Sequence, residues 1–197
     1  MWLACHGYGQ LAARFLRAFA HIAGPSRLIV APEALNRYYT DGRIAPHTAE
    51  SEVGATWMTR EDRLNEIEDY IRYLDLLCAE ILRGVDRDRV ALVALGFSQG
   101  VATIARWAAR TVVAPDHVVL WGSLLPPELA PVPGMFGGAR LVLAAGESDA
   151  ALPPQRLESE RSRLRAAGVD HDVLRFRGGH RIEREALTEL AERVRAS

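Results

Sequence analysis

The sequence predicts an α/β fold, a mainly parallel sheet of about six strands with helices on both faces, and three observations lead there. Short apolar runs alternate with amphipathic segments along the whole chain. The 197 residues, 49% hydrophobic and 25% charged, are enough to bury a sizeable core. No internal repeat or low-complexity linker divides them, so residues 1–197 are read as one domain.

Strands are expected near Trp2 to Cys5, Leu28 to Ala31, Val90 to Leu95, His117 to Trp121, Leu141 to Ala145 and Asp172 to Phe176. A first helix over about Gln10 to Ile22 follows from Leu11, Phe15, Phe19 and Ile22, which share one helical face. A long second helix covers about Arg60 to Leu82, with Thr59 as N-cap and Leu64, Ile67, Ile71, Leu74 and Ile81 as its inner face. Further helices are expected at Gln99 to Ala109, Pro154 to Ala167 and Glu183 to Arg195. Two connections are unusual. Pro32 to Met58 is far longer than the usual ~4 to 6 residues, which suggests a functional loop or a mobile segment. Gly122 to Gly138 carries Pro126, Pro127, Pro131 and Pro133, so it is expected to be extended or at most one helical turn.

Composition excludes several function classes. The net charge is −1, which leaves no nucleic-acid footprint and no polybasic membrane anchor. All 24 basic residues are arginine. Without lysine there is no Walker lysine, no pyridoxal Schiff base and no Ser-Lys dyad. Cys5 and Cys78 imply neither a disulfide framework nor a zinc cluster, and no His pair has ligand spacing, so no metal is expected. No signal-peptide pattern opens the chain, and no apolar run approaches the ~20 residues of a membrane span. The expectation is a cytoplasmic protein without integral membrane association.

Gly96-Phe97-Ser98-Gln99-Gly100 lies between a strand-like run and an Ala-rich helical segment. A G-x-S-x-G turn in that setting forces a strained serine whose Oγ projects above the sheet, and points to a serine hydrolase. Open parallel sheets bind ligands at the carboxyl ends of their strands. There the sequence places His6-Gly7-Tyr8-Gly9, Ser98, Asp149 and His180, with serine, acid and histidine in that chain order.

These residues together resemble the α/β-hydrolase fold and, within it, the phospholipase/carboxylesterase group that includes acyl-protein thioesterases. The matching segments are His6-Gly7-Tyr8-Gly9, the pentapeptide around Ser98, Gly146-Glu147-Ser148-Asp149 before Leu152-Pro153, and Gly178-Gly179-His180. The resemblance implies Ser98 as nucleophile, His180 as base then acid, and Asp149 as its orienting partner. It also implies an oxyanion hole from the backbone N–H groups of Tyr8 and Gln99, and no cofactor. The antiparallel strands that usually precede the strand carrying His6 are expected to be missing, and the region after Trp121 is short for the helix usual there. Tyr38, Tyr39, Trp57, Met58 and Leu152 are the expected substrate-binding residues. The expected substrate is a small-molecule ester or thioester, lysophospholipids and acyl thioesters included, and a homodimer is left open.

Competing assignments exist for several of these residues. His6 is a rival base, but its place before the oxyanion glycines suits bracing that loop. Glu147, Asp170 and Asp172 compete with Asp149, the last two at the wrong end of the sheet. Gly7-Tyr8-Gly9-Gln10-Leu11-Ala12 also fits a dinucleotide fingerprint, with Glu33 where a ribose-binding acid would sit. That alternative, an oxidoreductase, leaves the serine turn, Asp149 and His180 unexplained. A non-catalytic binding protein of this fold would normally show a broken triad. Arg181 is read as outward-facing, with attraction of acidic substrates as the other possibility.

Overall fold

The computed structural model describes residues 1–42 and 46–195. Six strands form one all-parallel sheet in the order β2-β1-β5-β6-β7-β8. They are β1 (Trp2–Cys5), β2 (Ile29–Val30), β5 (Val93–Phe97), β6 (His117–Trp121), β7 (Arg140–Gly146) and β8 (His171–Phe176). β1 to β2 runs toward one edge, and the chain then crosses back to place β5 on the other side of β1. The strand order therefore reverses at the β1/β5 seam, where open α/β sheets leave a crevice above the strand ends.

Strand residues point alternately to the two faces, so each apolar run feeds two cores. Leu3, Cys5, Ala94, Val118, Leu120, Leu141 and Leu143 pack with α2 (Arg63–Ile81), α3 (Gln99–Ala108) and α4 (Pro154–Ala166). Trp2, Ala4, Val93, Leu95, Val119, Trp121 and Leu174 pack with α1 (Ala12–Leu16) and α5 (Arg184–Arg195). Buried indoles also find acceptors, as polar tips in a core must. Trp107 Nε1 donates to Asp75 Oδ1 at 2.8 Å, and Trp121 Nε1 donates to Arg181 O at 2.9 Å.

The structure corrects four details of the sequence reading. The first helix is only one turn and a half, continuing as a 3-10 turn over Arg17–Phe19. Thr59 does not cap α2: its hydroxyl accepts Glu61 N–H in a preceding turn, and the helix starts after Asp62. Leu64 is 72% exposed, and the inner face is Ile67, Tyr70, Ile71, Leu74 and Cys78. The long stretch from Pro32 to Met58 contains an antiparallel hairpin, β3 (Asn36–Tyr39) with β4 (Val53–Thr56); its residues 43–45 lie outside the described residues. No helix is long and apolar enough to cross a membrane among the described residues.

Candidate active site

Ser98 follows β5 directly and precedes α3 directly, so the chain turns from strand to helix over one residue. Its backbone sits at φ 54°, the one non-glycine positive φ among the described residues. Such a conformation costs of order 1–3 kcal/mol, and it persists because both flanks are fixed. Ser98 N–H donates to Trp121 O at 2.9 Å. Small neighbours are needed on both sides. A Cβ on Gly96 would stand 2.6 Å from Val101 Cα, and one on Gly100 would stand 2.7 Å from His6 O.

β7 and β8 end in the loops carrying Asp149 and His180. Glu147 N–H donates to Phe176 O and Ser148 N–H to Gly178 O, both at 2.9 Å, which ties the two loops together. His180 Nδ1 lies 2.8 Å from Asp149 Oδ2. The other carboxylate oxygen accepts Ala151 N–H at 2.8 Å and Leu152 N–H at 3.2 Å. With Asp149 buried and held by these donors, a proton on His180 Nδ1 has Asp149 Oδ2 as its acceptor, an arrangement that leaves Nε2 its lone pair. The imidazole ring lies 4.9 Å from the Phe97 ring, centroid to centroid, beside the serine turn. Gly122 leaves room for the pair, since a Cβ there would stand 3.1 Å from His180 Cε1 and 3.4 Å from Asp149 Oδ2.

The loop after β1 closes over the serine from the other side of the seam. A Cβ on Gly7 would be 3.2 Å from Ser98 Cβ. Gly7 N–H donates to Gln10 Oε1 at 2.8 Å, and Gly9 N–H to Ala55 O at 2.9 Å, so the donors flanking Tyr8 N–H are both occupied. Gln99 is the first residue of α3, where a backbone N–H has no partner inside the helix and the helix dipole favours negative charge.

His6 is the brace and not a second base. It is fully buried, its Nε2 accepts Ala34 N–H at 3.1 Å, and its Nδ1 lies 2.8 Å from Gly7 O. Burial pushes its pKa below 6.5, opposed by the Gly7 carbonyl and by Glu33. His117 is held down likewise by burial and by Arg140. The unfolded chain therefore binds protons that the folded one refuses. This stability is fully present above pH 6.5 and is lost as pH falls from there through the folded pKa values. Wild type should show a falling Tm between neutral pH and about 5, and His6→Asn should show a smaller fall. An equal slope in both would remove His6 from this account.

The expected substrate-binding residues separate into two groups. Tyr38 packs its ring 5.4 Å from that of Tyr8, which is 62% exposed on the loop after β1. Burial and the neighbouring Tyr8 push the Tyr38 phenol up, so it stays neutral, its buried hydroxyl without a hydrogen-bond partner among the described residues. Trp57 and Leu152 are buried, and Tyr39 packs elsewhere on the hairpin. Trp57 is a core residue whose indole N–H donates to His6 O at 2.9 Å. Leu152 is buried beneath the Asp149 turn. Tyr39 lies on the opposite face of the hairpin from Tyr38 and stacks on His47. Met58 is half-buried, its sulfur 3.4 Å from the Arg106 guanidinium.

Three supports went unforeseen from sequence. The Gln99 side chain takes Trp57 N–H at 3.1 Å and donates to Met58 O at 3.0 Å, pinning the hairpin exit to α3. The buried Arg106 binds Glu128 and Tyr70 Oη, anchoring the proline-rich stretch after β6. Glu33 accepts Ala12 N–H at 3.0 Å and pairs with Arg37. Its carboxylate thus caps α1, where a dinucleotide-binding site would need it free for a ribose.

The sequence matches no protein-family model and no curated protein. Its fold does match solved structures. The Bacillus cereus carboxylesterase superposes with a TM-score of 0.69 at 17% identity, over 100% of this chain and 87% of that one. The Zea mays acyl-protein thioesterase 2 gives 0.66 at 16%, over 99% and 92%. The esterase PE8 gives 0.66 at 20%, over 99% and 91%. The parallel sheet, the helices on both faces and this likeness together identify the chain as having the α/β-hydrolase fold.

Proposed function

We propose that this protein is a serine carboxylesterase that cleaves carboxylic esters or thioesters of small molecules through an acyl-enzyme on Ser98. One observation carries the reading. Ser98 occupies a strained positive-φ turn at the same sheet end as a buried carboxylate hydrogen-bonded to a part-exposed imidazole. A serine hydroxyl is a poor nucleophile at neutral pH unless an adjacent base takes its proton. The esterase, carboxylesterase and acyl-protein thioesterase folds that this chain resembles support the same class.

His180 Nε2 takes the Ser98 Oγ proton as Oγ bonds to the substrate carbonyl carbon. The carbonyl electrons move onto oxygen, facing Tyr8 N–H and Gln99 N–H. Each such donor contributes about 3 to 4 kcal/mol to the transition state. Collapse breaks the C–O or C–S bond, and His180 passes its proton to the leaving atom. Water then repeats the sequence, giving its proton to His180, and Ser98 leaves with the acid released. Asp149 stabilises the imidazolium throughout and fixes its tautomer.

The test is hydrolysis of p-nitrophenyl esters from acetyl to palmitoyl beside matched acyl thioesters. Turnover with a chain-length optimum is expected, and the optimum separates a small-ester enzyme from one acting on lysophospholipid-like acyl groups. Activity on oxygen esters with none on thioesters removes the thioesterase branch. Asp149→Asn should lower kcat about 10⁴-fold by reversing the His180 tautomer. Full activity in that variant would overturn the assigned triad.

A further inference from the structure

A cleft of about 310 Å³ adjoins His180 between the oxyanion loop, α1 and the start of α5. Gly9, Gln10 and Phe97 line it with His180, and so do two arginines, Arg14 and Arg181. No aspartate or glutamate is among its lining residues. Neither arginine is in a salt bridge among the described residues, and both are exposed. The acid nearest in sequence to Arg181 is Glu183, whose carboxylate accepts Glu185 N–H at 2.8 Å and Ala186 N–H at 3.2 Å at the start of α5. The cleft wall therefore carries two positive charges that form no salt bridge among the described residues, Arg181 having Glu183 near enough to feel its charge and Arg14 having no such neighbour among the lining residues.

Resting on the esterase reading, we infer that this cleft selects esters whose leaving alcohol carries an anionic group, with Arg14 and Arg181 as the specificity-determining residues. The side of the substrate follows from proton transfer. His180 must protonate the departing oxygen, so whatever that oxygen carries lies beside His180, over this cleft. An anion about four bonds further on faces guanidinium groups, which hold their charge at any working pH and match oxyanions geometrically. The proton goes from His180 Nε2 to the leaving oxygen, so the released product is the neutral hydroxyl compound with its anionic group unchanged. Selectivity of this kind raises kcat/KM for charged esters and weakens with salt.

The experiment compares phenyl acetate with 3-carboxyphenyl acetate in wild type, Arg14→Gln, Arg181→Gln and the double variant. Two partly solvated guanidiniums are expected to give the carboxylated ester about a five- to tenfold advantage in kcat/KM over the neutral one at low salt. That ratio should fall partway in each single variant and to about one in the double variant, and shrink in wild type as salt rises. A ratio of one in active wild type, or a ratio untouched in the double variant, overturns the inference while leaving the esterase reading in place. Failure to hydrolyse either ester counts against the esterase reading instead. The arginine site is then judged by titrating the product 3-hydroxybenzoate and following the His180 Cε1–H resonance. A salt-sensitive shift lost in the double variant supports the site, and no shift overturns it.

Discussion

Ser98→Ala is expected to lower ester turnover about 10⁴- to 10⁶-fold while the protein stays folded, because any residual rate then comes only from binding and oxyanion donors. The same position yields a second, opposite effect. Any L-residue at φ 54° is strained, and alanine keeps that strain. Glycine removes it, so Ser98→Gly should be as inactive as Ser98→Ala yet more stable, by about 1 kcal/mol. Parallel measurement of p-nitrophenyl acetate hydrolysis and urea unfolding separates the two. Turnover within tenfold of wild type in Ser98→Ala would remove the nucleophile. Equal stability of the glycine and alanine variants would mean that the turn stores no strain.

The strained turn was legible in sequence because its causes are local: an apolar run, two glycines and a helix-forming segment in immediate succession. The sheet was legible for the same reason, since strands buried on both faces must be continuously apolar. Their ends were not. The apolar run predicts β5 at Val90 to Leu95, but the strand runs Val93–Phe97, because pairing begins where Trp2 of β1 meets Val93. That is a property of the partner strand and leaves no mark in residues 90–92. The hairpin leaves no sequence signal because β3, Asn-Arg-Tyr-Tyr, is mostly exposed and bonds only to β4, which gives it neither alternation nor an apolar run.

Side-chain roles divide along the same line. His6 was readable as a brace because it precedes the glycines it steadies. Trp57 was not readable as core, since an aromatic in a long connection suits a pocket equally well until the chain is seen to fold its indole under His6 O. Gln99 shows the limit most clearly. The serine motif involves only its backbone N–H, whereas its side chain is occupied by residues more than 40 positions away. Arg106 and Glu128 met across 22 residues for reasons no local pattern carries.

Gly100→Ala should cost about 3 kcal/mol, or roughly 6–12 °C in Tm for a chain of this size, and should also depress activity. The added methyl would lie 2.7 Å from both Cys5 C and His6 O, backbone atoms at the end of a central strand. A flexible side chain could swing away from such a contact, but backbone at the end of a paired strand yields far less. β1 is bonded to β2 and to β5, with Cys5 opposite Gly96. Relief must therefore come by lifting α3 from the sheet or by displacing His6-Gly7-Tyr8. The first moves Gln99 N–H and the second Tyr8 N–H, so either relaxation disturbs one proposed oxyanion donor. Gly24→Ala is the control, because nothing stands within 4 Å of a Cβ there. It should change stability by less than about 0.5 kcal/mol and leave turnover as it was. If Gly100→Ala matched that control in thermal unfolding, the close approach of α3 to β1 would not be what holds the serine turn. A variant equally destabilised but with unaltered kcat would show that the helix and strand relax without moving the donors, and the oxyanion assignment would have to shift to other N–H groups.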